Sequence, residues 1–235
     1  MSFFMMLDPL YWVIMLPVLV LSIFAQTRVK STYARFSRVG TRRGLTGAEA
    51  ARRILSQAGI HDVTVERTQG WLADHYDPRS KTLRLSPEVH GGRSVASVGV
   101  AAHEAGHAIQ HAVGYAPMAL RSAFVPIAGL GSWLAFPIIL IGFLFASLEL
   151  IKVGIICFAA IVLFQLITLP VEFNASTGAK ACLGESGIVT SEEEARGVNA
   201  VLSAAALTYV AAAVAALAQL LYFLLRSGLL GGGDD

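Results

Sequence analysis

The chain has 235 residues, of which 55% are hydrophobic and only 14% charged, against about 25% charged in an average soluble protein. That balance excludes intrinsic disorder, which needs low hydrophobicity and high charge, and it argues against an ordinary soluble domain. A formal net charge of +2 leaves no electrostatic footprint for nucleic acid, so no nucleic-acid partner is expected.

A bilayer-spanning helix needs about 20 mostly apolar residues. In chain order, four uncharged stretches qualify: residues 9–27, 122–148, 153–171 and 200–225. The first reads as an uncleaved anchor, because its positive charges follow the apolar run and no small-residue cleavage site is evident. Only Glu149-Leu-Ile-Lys152 separates the second stretch from the third, which predicts a tight helical hairpin. Of the 18 basic residues, 16 lie in 28–121 or 172–199. The positive-inside rule makes those segments cytoplasmic and both termini external. The cluster Arg28, Lys30, Arg35, Arg38, Arg42 and Arg43 sets that topology and also suits anionic headgroups.

The expected organisation is an anchor at 1–27, a cytoplasmic α+β segment at 28–121, a transmembrane hairpin at 122–171, a second cytoplasmic segment at 172–199, a fourth transmembrane helix at 200–225 and a flexible tail at 226–235. The fold class is therefore a mainly α integral membrane protein, with four transmembrane helices and a small α+β cytoplasmic unit. Cys157 and Cys182 form neither a disulfide framework nor a CxxC zinc pair. Gly129, Gly131 and the alanine-rich fourth stretch permit close helix packing within one chain or in a homo-oligomer.

Within the cytoplasmic segment, Thr46-Gly-Ala-Glu49 has the form of a capping box and predicts a helix from Gly47 that ends near Gly59. Residues 62–67 alternate as a strand. Residues 71–76 and 81–85 flank the turn-rich Asp77-Pro-Arg-Ser80 and read as a β-hairpin. Ser86-Pro87 predicts a short helical turn, and residues 94–113 predict a helix. Ser191 and Glu194 again have capping-box spacing, so a helix from about Glu192 is expected to run unbroken into the fourth span.

The chemistry concentrates in His103-Glu104-Ala-Gly-His107. Four residues apart on a helix, His103 and His107 share a face and can aim two imidazoles at one metal ion. Glu104 is displaced one step round the helix, where it can take a proton from a zinc-bound water, and zinc lowers the pKa of that water toward about 7. This is the zinc-protease pattern, and chance yields it only about 0.006 times in a chain of this composition. The bland alternative is a helix with two solvated histidines. A catalytic zinc usually takes three protein ligands and a water, so one Zn²⁺ per chain is expected. His111 continues the same face. However, three ligands on one straight helix would span about 12 Å, which leaves His111 as a surface or supporting residue. Glu172 suits the third position, because a membrane hairpin returns the chain to the surface that carries the HExxH helix. The alternatives are that Glu172 only ends a span, or that Glu185, Glu192, Glu193 or Glu194 takes its place, although the run of three reads as a solvated helix start. The strand containing Asp74, His75 and Tyr76 can offer an edge to a peptide, or its His75 or Tyr76 can donate to an oxyanion. Tyr115 is a further candidate for that donor, and an ordinary hairpin is the simpler reading.

His103-Glu-Ala-Gly-His-Ala-Ile-Gln-His111, Asp74-His-Tyr-Asp-Pro78, Leu169-Pro-Val-Glu-Phe-Asn-Ala-Ser176 and Ala205-Ala-Leu-Thr-Tyr-Val-Ala211 together resemble the YugP-like membrane zinc metallopeptidases of bacteria, over nearly the whole chain. The resemblance implies a fold similar to the HtpX-like membrane proteases. It also implies His103, His107 and Glu172 as metal ligands, Glu104 as catalytic base, and a multi-pass protein of the bacterial cell membrane. HtpX-like proteins commonly carry Asp four residues after the ligand Glu. Here that position is Ser176, and Asn174 is the residue expected to supply the orienting hydrogen bond.

The resulting expectation is a zinc metalloendopeptidase that cuts peptides or membrane-protein substrates at the cytoplasmic face of the lipid bilayer, with a role in membrane-protein quality control. The rival is an inactive membrane scaffold with a structural metal site closed by a fourth ligand such as His75 or His111. A metal transporter fits less well, because the spans carry no ladder of His or carboxylate groups.

Overall fold

A computed structural model of the chain describes residues 8–230 other than Leu72. The five residues from 231 onward, the end of the expected tail, lie outside the described residues. The elements run α1 (Pro9–Phe36), α2 (Gly47–Gln57), β1 (Thr64–Arg67), β2 (His75–Asp77), β3 (Thr82–Leu85), α3 (Pro87–His90), α4 (Val95–Ala112), α5 (Ala116–Leu144), α6 (Leu148–Glu185) and α7 (Glu192–Arg226). Four of these helices (α1, α5, α6 and α7) are long and apolar enough to cross a membrane. The protein is mainly helical, with one small sheet. The chain divides into two compact units, each described in turn.

The apolar unit comprises residues up to Phe24, Leu120–Leu169 and residues from Tyr209 onward. Its core joins Tyr11, Ala135, Ile139, Ile155, Phe158 and Phe223. The Phe158 and Phe223 rings meet edge to face with centroids 5.3 Å apart, the arrangement aromatic quadrupoles prefer. At one end, Tyr222 donates its hydroxyl to Asp8 Oδ2 at 3.1 Å, and Arg226 pairs with the same oxygen at 3.2 Å. The start of α1 and the end of α7 are therefore tied together. The helical hairpin turns earlier than expected. Phe145–Ser147 make the connection, with Ala146 in the left-handed region at φ 51° and Ser147 N donating to Gly142 O at 2.8 Å. Glu149 and Lys152 belong to the first turn of α6, where they pair at 2.8 Å. The i,i+3 ion pair suits a helix, and the negative charge of Glu149 suits its start. Of the two glycines flagged for packing, Gly131 lies against the Cys157 carbonyl, where an added methyl would sit 2.6 Å from the oxygen, and Gly129 faces open space.

The second unit comprises Ala25–Ala119 and Pro170–Thr208, and its core is built around α4. The reciprocal bonds of the capping box start α2: Glu49 N donates to Thr46 Oγ1 at 3.2 Å, and Thr46 N donates to Glu49 Oε2 at 2.7 Å. The helix then buries Ala48, Ala51, Ile54 and Leu55 as one apolar stripe. The sheet has the order β1-β3-β2. β1 runs parallel to β3 with Val65 opposite Leu83, and β2 runs antiparallel with Tyr76 opposite Leu83. The hairpin is shorter than expected, and residues 71 and 73 lie outside it. Asp77 closes its turn by accepting from Arg79 N at 3.0 Å and Ser80 Oγ at 2.7 Å. The Ser80 hydroxyl and Arg79 amide hold the Asp77 carboxyl at about 2.

α4 is buried along nearly its whole length, which its Ala, Gly and Ser residues allow. Mid-helix glycine costs up to about 1 kcal/mol relative to alanine, so Gly106 needs a reason. A Cβ there would meet the Ala175 carbonyl oxygen of α6 at 2.9 Å. Gly106 thus lets the helix carrying His103 and His107 approach the backbone of the helix carrying Glu172. Gly106→Ala is expected to destabilise the fold by about 1–3 kcal/mol despite its better helix propensity, and a thermal melt beside wild type measures it.

α7 begins as expected. Glu194 N donates to Ser191 Oγ at 3.3 Å, and Ser191 N donates back to Glu194 Oε2 at 3.0 Å. The run of three glutamates is not uniformly solvated, however. Glu192 and Glu193 are exposed, whereas Glu194 is buried and accepts Arg42 N at 2.6 Å and Thr190 N at 2.8 Å. The capping position turns its carboxylate into a staple between distant loops.

Candidate metal centre

His103 and His107 leave α4 one turn apart, and their rings meet edge to face at 4.7 Å. Glu172 enters from α6. Its Oε2 lies 3.1 Å from His103 Nε2 and 3.5 Å from His107 Nε2. The three donor atoms all lie within 4.8 Å of one another. Two ligands about 2.05 Å from a tetrahedral zinc stand about 3.3 Å apart, and the two Glu172 separations are close to that spacing, so the three residues could hold one ion.

The imidazole nitrogens that face away from the cluster are occupied, and this fixes which nitrogens face in. Gln110 Nε2 donates to the Val171 carbonyl at 2.9 Å and to Asn174 Oδ1 at 2.8 Å. Its Oε1 must therefore be the atom 3.0 Å from His107 Nδ1, and an amide oxygen only accepts. His107 therefore donates from Nδ1 to Gln110, and its Nε2 is the nitrogen that faces Glu172. On the other ring, Ser176 Oγ lies 3.2 Å from His103 Nδ1, where a hydroxyl can accept the ring N–H. Such outer partners set the tautomer and orientation of histidine ligands.

The electrostatics also suit a cation. Burial pushes His107 down, but the Glu172 bond and the charges of Glu104 and Glu172 outweigh it and hold the imidazole above its ordinary value. The two carboxylates create a negative field in a nearly dry place, since Glu104 and His103 are each 8% exposed and Glu172 only 2%. The residues fit a divalent ion of borderline softness, such as zinc. Gln110→Leu is expected to weaken zinc binding by about 10- to 100-fold, read by competition with a chromogenic chelator.

The other site candidates fall elsewhere. His111 is exposed, and its Nδ1 bonds the Tyr76 hydroxyl at 2.9 Å, outside the three-donor cluster. Tyr76 is buried on the edge strand β2. His75 is exposed and donates from Nδ1 to the Ala73 carbonyl at 2.9 Å. Asn174 accepts from Gln110 and has no hydrogen bond to a histidine among the described residues, and Ser176 is the residue beside His103. Tyr115 packs against the core of its unit. Glu194 is consumed by backbone amides, as described.

Two contributors escaped the reading of the sequence. Gln110, three residues past His107, has helical spacing that allows side-chain contact. Asp74 accepts from Ser86 N at 2.7 Å and from Ser86 Oγ at 3.1 Å. Burial pushes the Asp74 carboxyl up against those bonds, and the Glu104 charge adds to the shift. Asp74 therefore stands within electrostatic reach of Glu104.

Comparison with known proteins gives two matches. The model of a family described as "Putative neutral zinc metallopeptidase" matches residues 11–228. A protein of Bacillus subtilis (strain 168) described as "Putative membrane protease YugP" is 50% identical over 215 residues, covering 92% of this chain and 94% of that relative. No solved structure matches the chain.

Proposed function

The chain belongs to this YugP-like zinc metallopeptidase family, and from that premise we propose that it is a zinc-dependent membrane endopeptidase whose site faces the cytoplasm. The observation that carries the reading is the convergence of His103 Nε2, His107 Nε2 and Glu172 Oε2, with Glu104 beside it in sequence. Support for the cytoplasmic side comes from the 16 of 18 basic residues in the two segments that carry these four residues.

A zinc ion held by His103, His107 and Glu172 would polarise a scissile carbonyl and make water a better nucleophile at neutral pH. The chain's own contribution starts with Glu104. One residue on from His103, it is turned about 100° round the helix, so its carboxylate is beside the ligands and remains free to act as a base. It accepts a proton from the attacking water and passes it to the departing amide nitrogen. Gln110 and Ser176 keep the two imidazoles oriented. Gly106 sets the approach of the two helices. Segments of membrane proteins at the cytoplasmic surface, including those released in quality control, are the substrates this placement favours over soluble peptides.

A structural, closed metal site is the rival. Among the described residues the cluster has three donors and no fourth, and His75 and His111 are engaged elsewhere. An open fourth position favours catalysis. The test is metal removal. Detergent-purified protein treated with a strong chelator is expected to lose peptide hydrolysis and to regain it when zinc is returned. Hydrolysis that persists in chelator at zinc levels below one-tenth of the protein would refute the reading.

A further inference from the structure

Among its described residues the second unit leaves three large apolar side chains exposed: Trp71, Val113 and Phe173. Phe173 lies two residues past the third apolar stretch, and Val113 shortly precedes α5, which carries the second. Trp71 is remote in sequence from every such stretch, and only the fold brings it near one.

Trp71 is 53% exposed in the segment between β1 and β2, and that segment is tied down at both ends. Thr68 N donates to the Leu85 carbonyl at 2.8 Å, and Asp74 accepts from Ser86 N at 2.7 Å. Between these ties Gly70 adopts φ 105°, a conformation that residues with a Cβ rarely enter. The Trp71 ring meets Tyr33 of α1 edge to face, with centroids 6.3 Å apart. Its indole N–H has no hydrogen-bond acceptor among the described residues. A tethered turn thus holds an amphipathic side chain half in the open.

The contact with Tyr33 sets how far Trp71 stands from the bilayer. The uncharged run of α1, residues 9–27, is about 28 Å long at 1.5 Å per residue, so it fills a hydrocarbon core of about 30 Å. Tyr33 lies six residues further on, about 9 Å along the axis. Helical side chains lean back toward the N-terminus, which here is toward the membrane. The headgroup layer on each side of the core is about 5–7.5 Å thick, so the Tyr33 ring and the indole against it reach that layer. Arg28, Lys30 and Arg35 flank Tyr33 on the same helix, all three exposed, and their charge suits anionic headgroups.

We propose that Trp71 inserts into the headgroup layer of the membrane and docks the unit that carries the metal centre on the lipid surface. The layer offers what the indole lacks within the protein. It gives apolar contact to the open part of the ring and acceptors to the N–H, the two properties that concentrate tryptophan at that depth. The inference needs α1 to span the bilayer but not the peptidase reading, and its test involves neither metal nor cleavage.

The full-length chain carrying Trp12→Phe and Trp133→Phe keeps Trp71 as its one tryptophan. It is reconstituted in vesicles of phosphatidylcholine and phosphatidylglycerol, with and without bromine on the upper part of the acyl chains, and read by fluorescence. A sister chain that keeps only Trp133, 75% exposed on the apolar unit, calibrates full contact with lipid. Brominated lipid is expected to quench most of the Trp71 emission, and acrylamide in the water is expected to quench little of it. Emission untouched by bromine and open to acrylamide places Trp71 in water and overturns the proposal. Emission protected from both means that protein covers the ring, whether a second copy or another partner, and overturns it equally.

If the tryptophan substitutions lower the melting temperature, a spin label reads the same position. Trp71→Cys is labelled in a chain whose two native cysteines are replaced by Cys157→Ala and Cys182→Ala. The label is expected to collide with oxygen dissolved in the lipid more than with a water-soluble nickel complex. The reverse order overturns the proposal.

Discussion

Glu104→Gln is expected to leave zinc bound and to lower peptide hydrolysis by about 10²- to 10⁴-fold, the usual contribution of a general base. The substitution keeps the size of the side chain and its room beside α4, so packing in this buried stretch is preserved. It removes the one property the mechanism needs, the ability to take a proton from water and return it. Zinc should be retained because Glu104 is not one of the three convergent donors. The measurement is paired: metal content and hydrolysis rate on the same preparation. Full activity with Glu104→Gln would remove Glu104 from the mechanism. Loss of zinc together with activity would make Glu104 part of the metal shell instead.

Glu172→Ala is expected to abolish activity by a different route, through the metal. The variant leaves two imidazoles on one helix without the carboxylate that converges on them, and zinc affinity should fall by more than about 100-fold, beyond the range seen for outer partners of a ligand. The loss also shows in stability. Zinc at 100 times its dissociation constant stabilises the native state by about 2.7 kcal/mol, so wild type should melt at a higher temperature when zinc is added, and Glu172→Ala should not respond. His111→Ala is the contrasting variant, because His111 faces Tyr76 and lies outside the donor set. A zinc content that falls with His111→Ala and survives Glu172→Ala would reverse the assignment.

Legibility in the sequence differed by physical cause. The four apolar helices were readable because bilayer thickness demands a length and composition that few other structures need. Thr46 and Glu49 announced the start of α2, because a capping box is a strictly local signal. His103 and His107 were readable as a pair because helical spacing alone brings them together. Other features depend on contacts remote in the sequence. Glu194 looked like its exposed neighbours Glu192 and Glu193, and nothing nearby revealed the Arg42 amide that buries it. Glu149 and Lys152 looked like a loop, because charge interrupts an apolar run whether or not the helix has already begun. The parallel register of β1 on β3 could not be read from two strands of four residues each. Gln110 was hidden for a related reason: its role depends on Val171 and Asn174, more than sixty residues away.

The wide separation of the donors has a consequence for biosynthesis. His103 and Glu172 lie 69 residues apart, and the intervening chain includes all of α5 and the apolar part of α6. A nascent chain that has made the HExxH helix lacks its acidic donor until both of those apolar stretches have been synthesised. A product that stops short of Glu172, or whose hairpin fails to insert, holds two histidines and a base but no complete set of donors. Order of synthesis therefore makes completion of the donor set wait on the whole hairpin, so that the last ligand is supplied only once both apolar stretches exist.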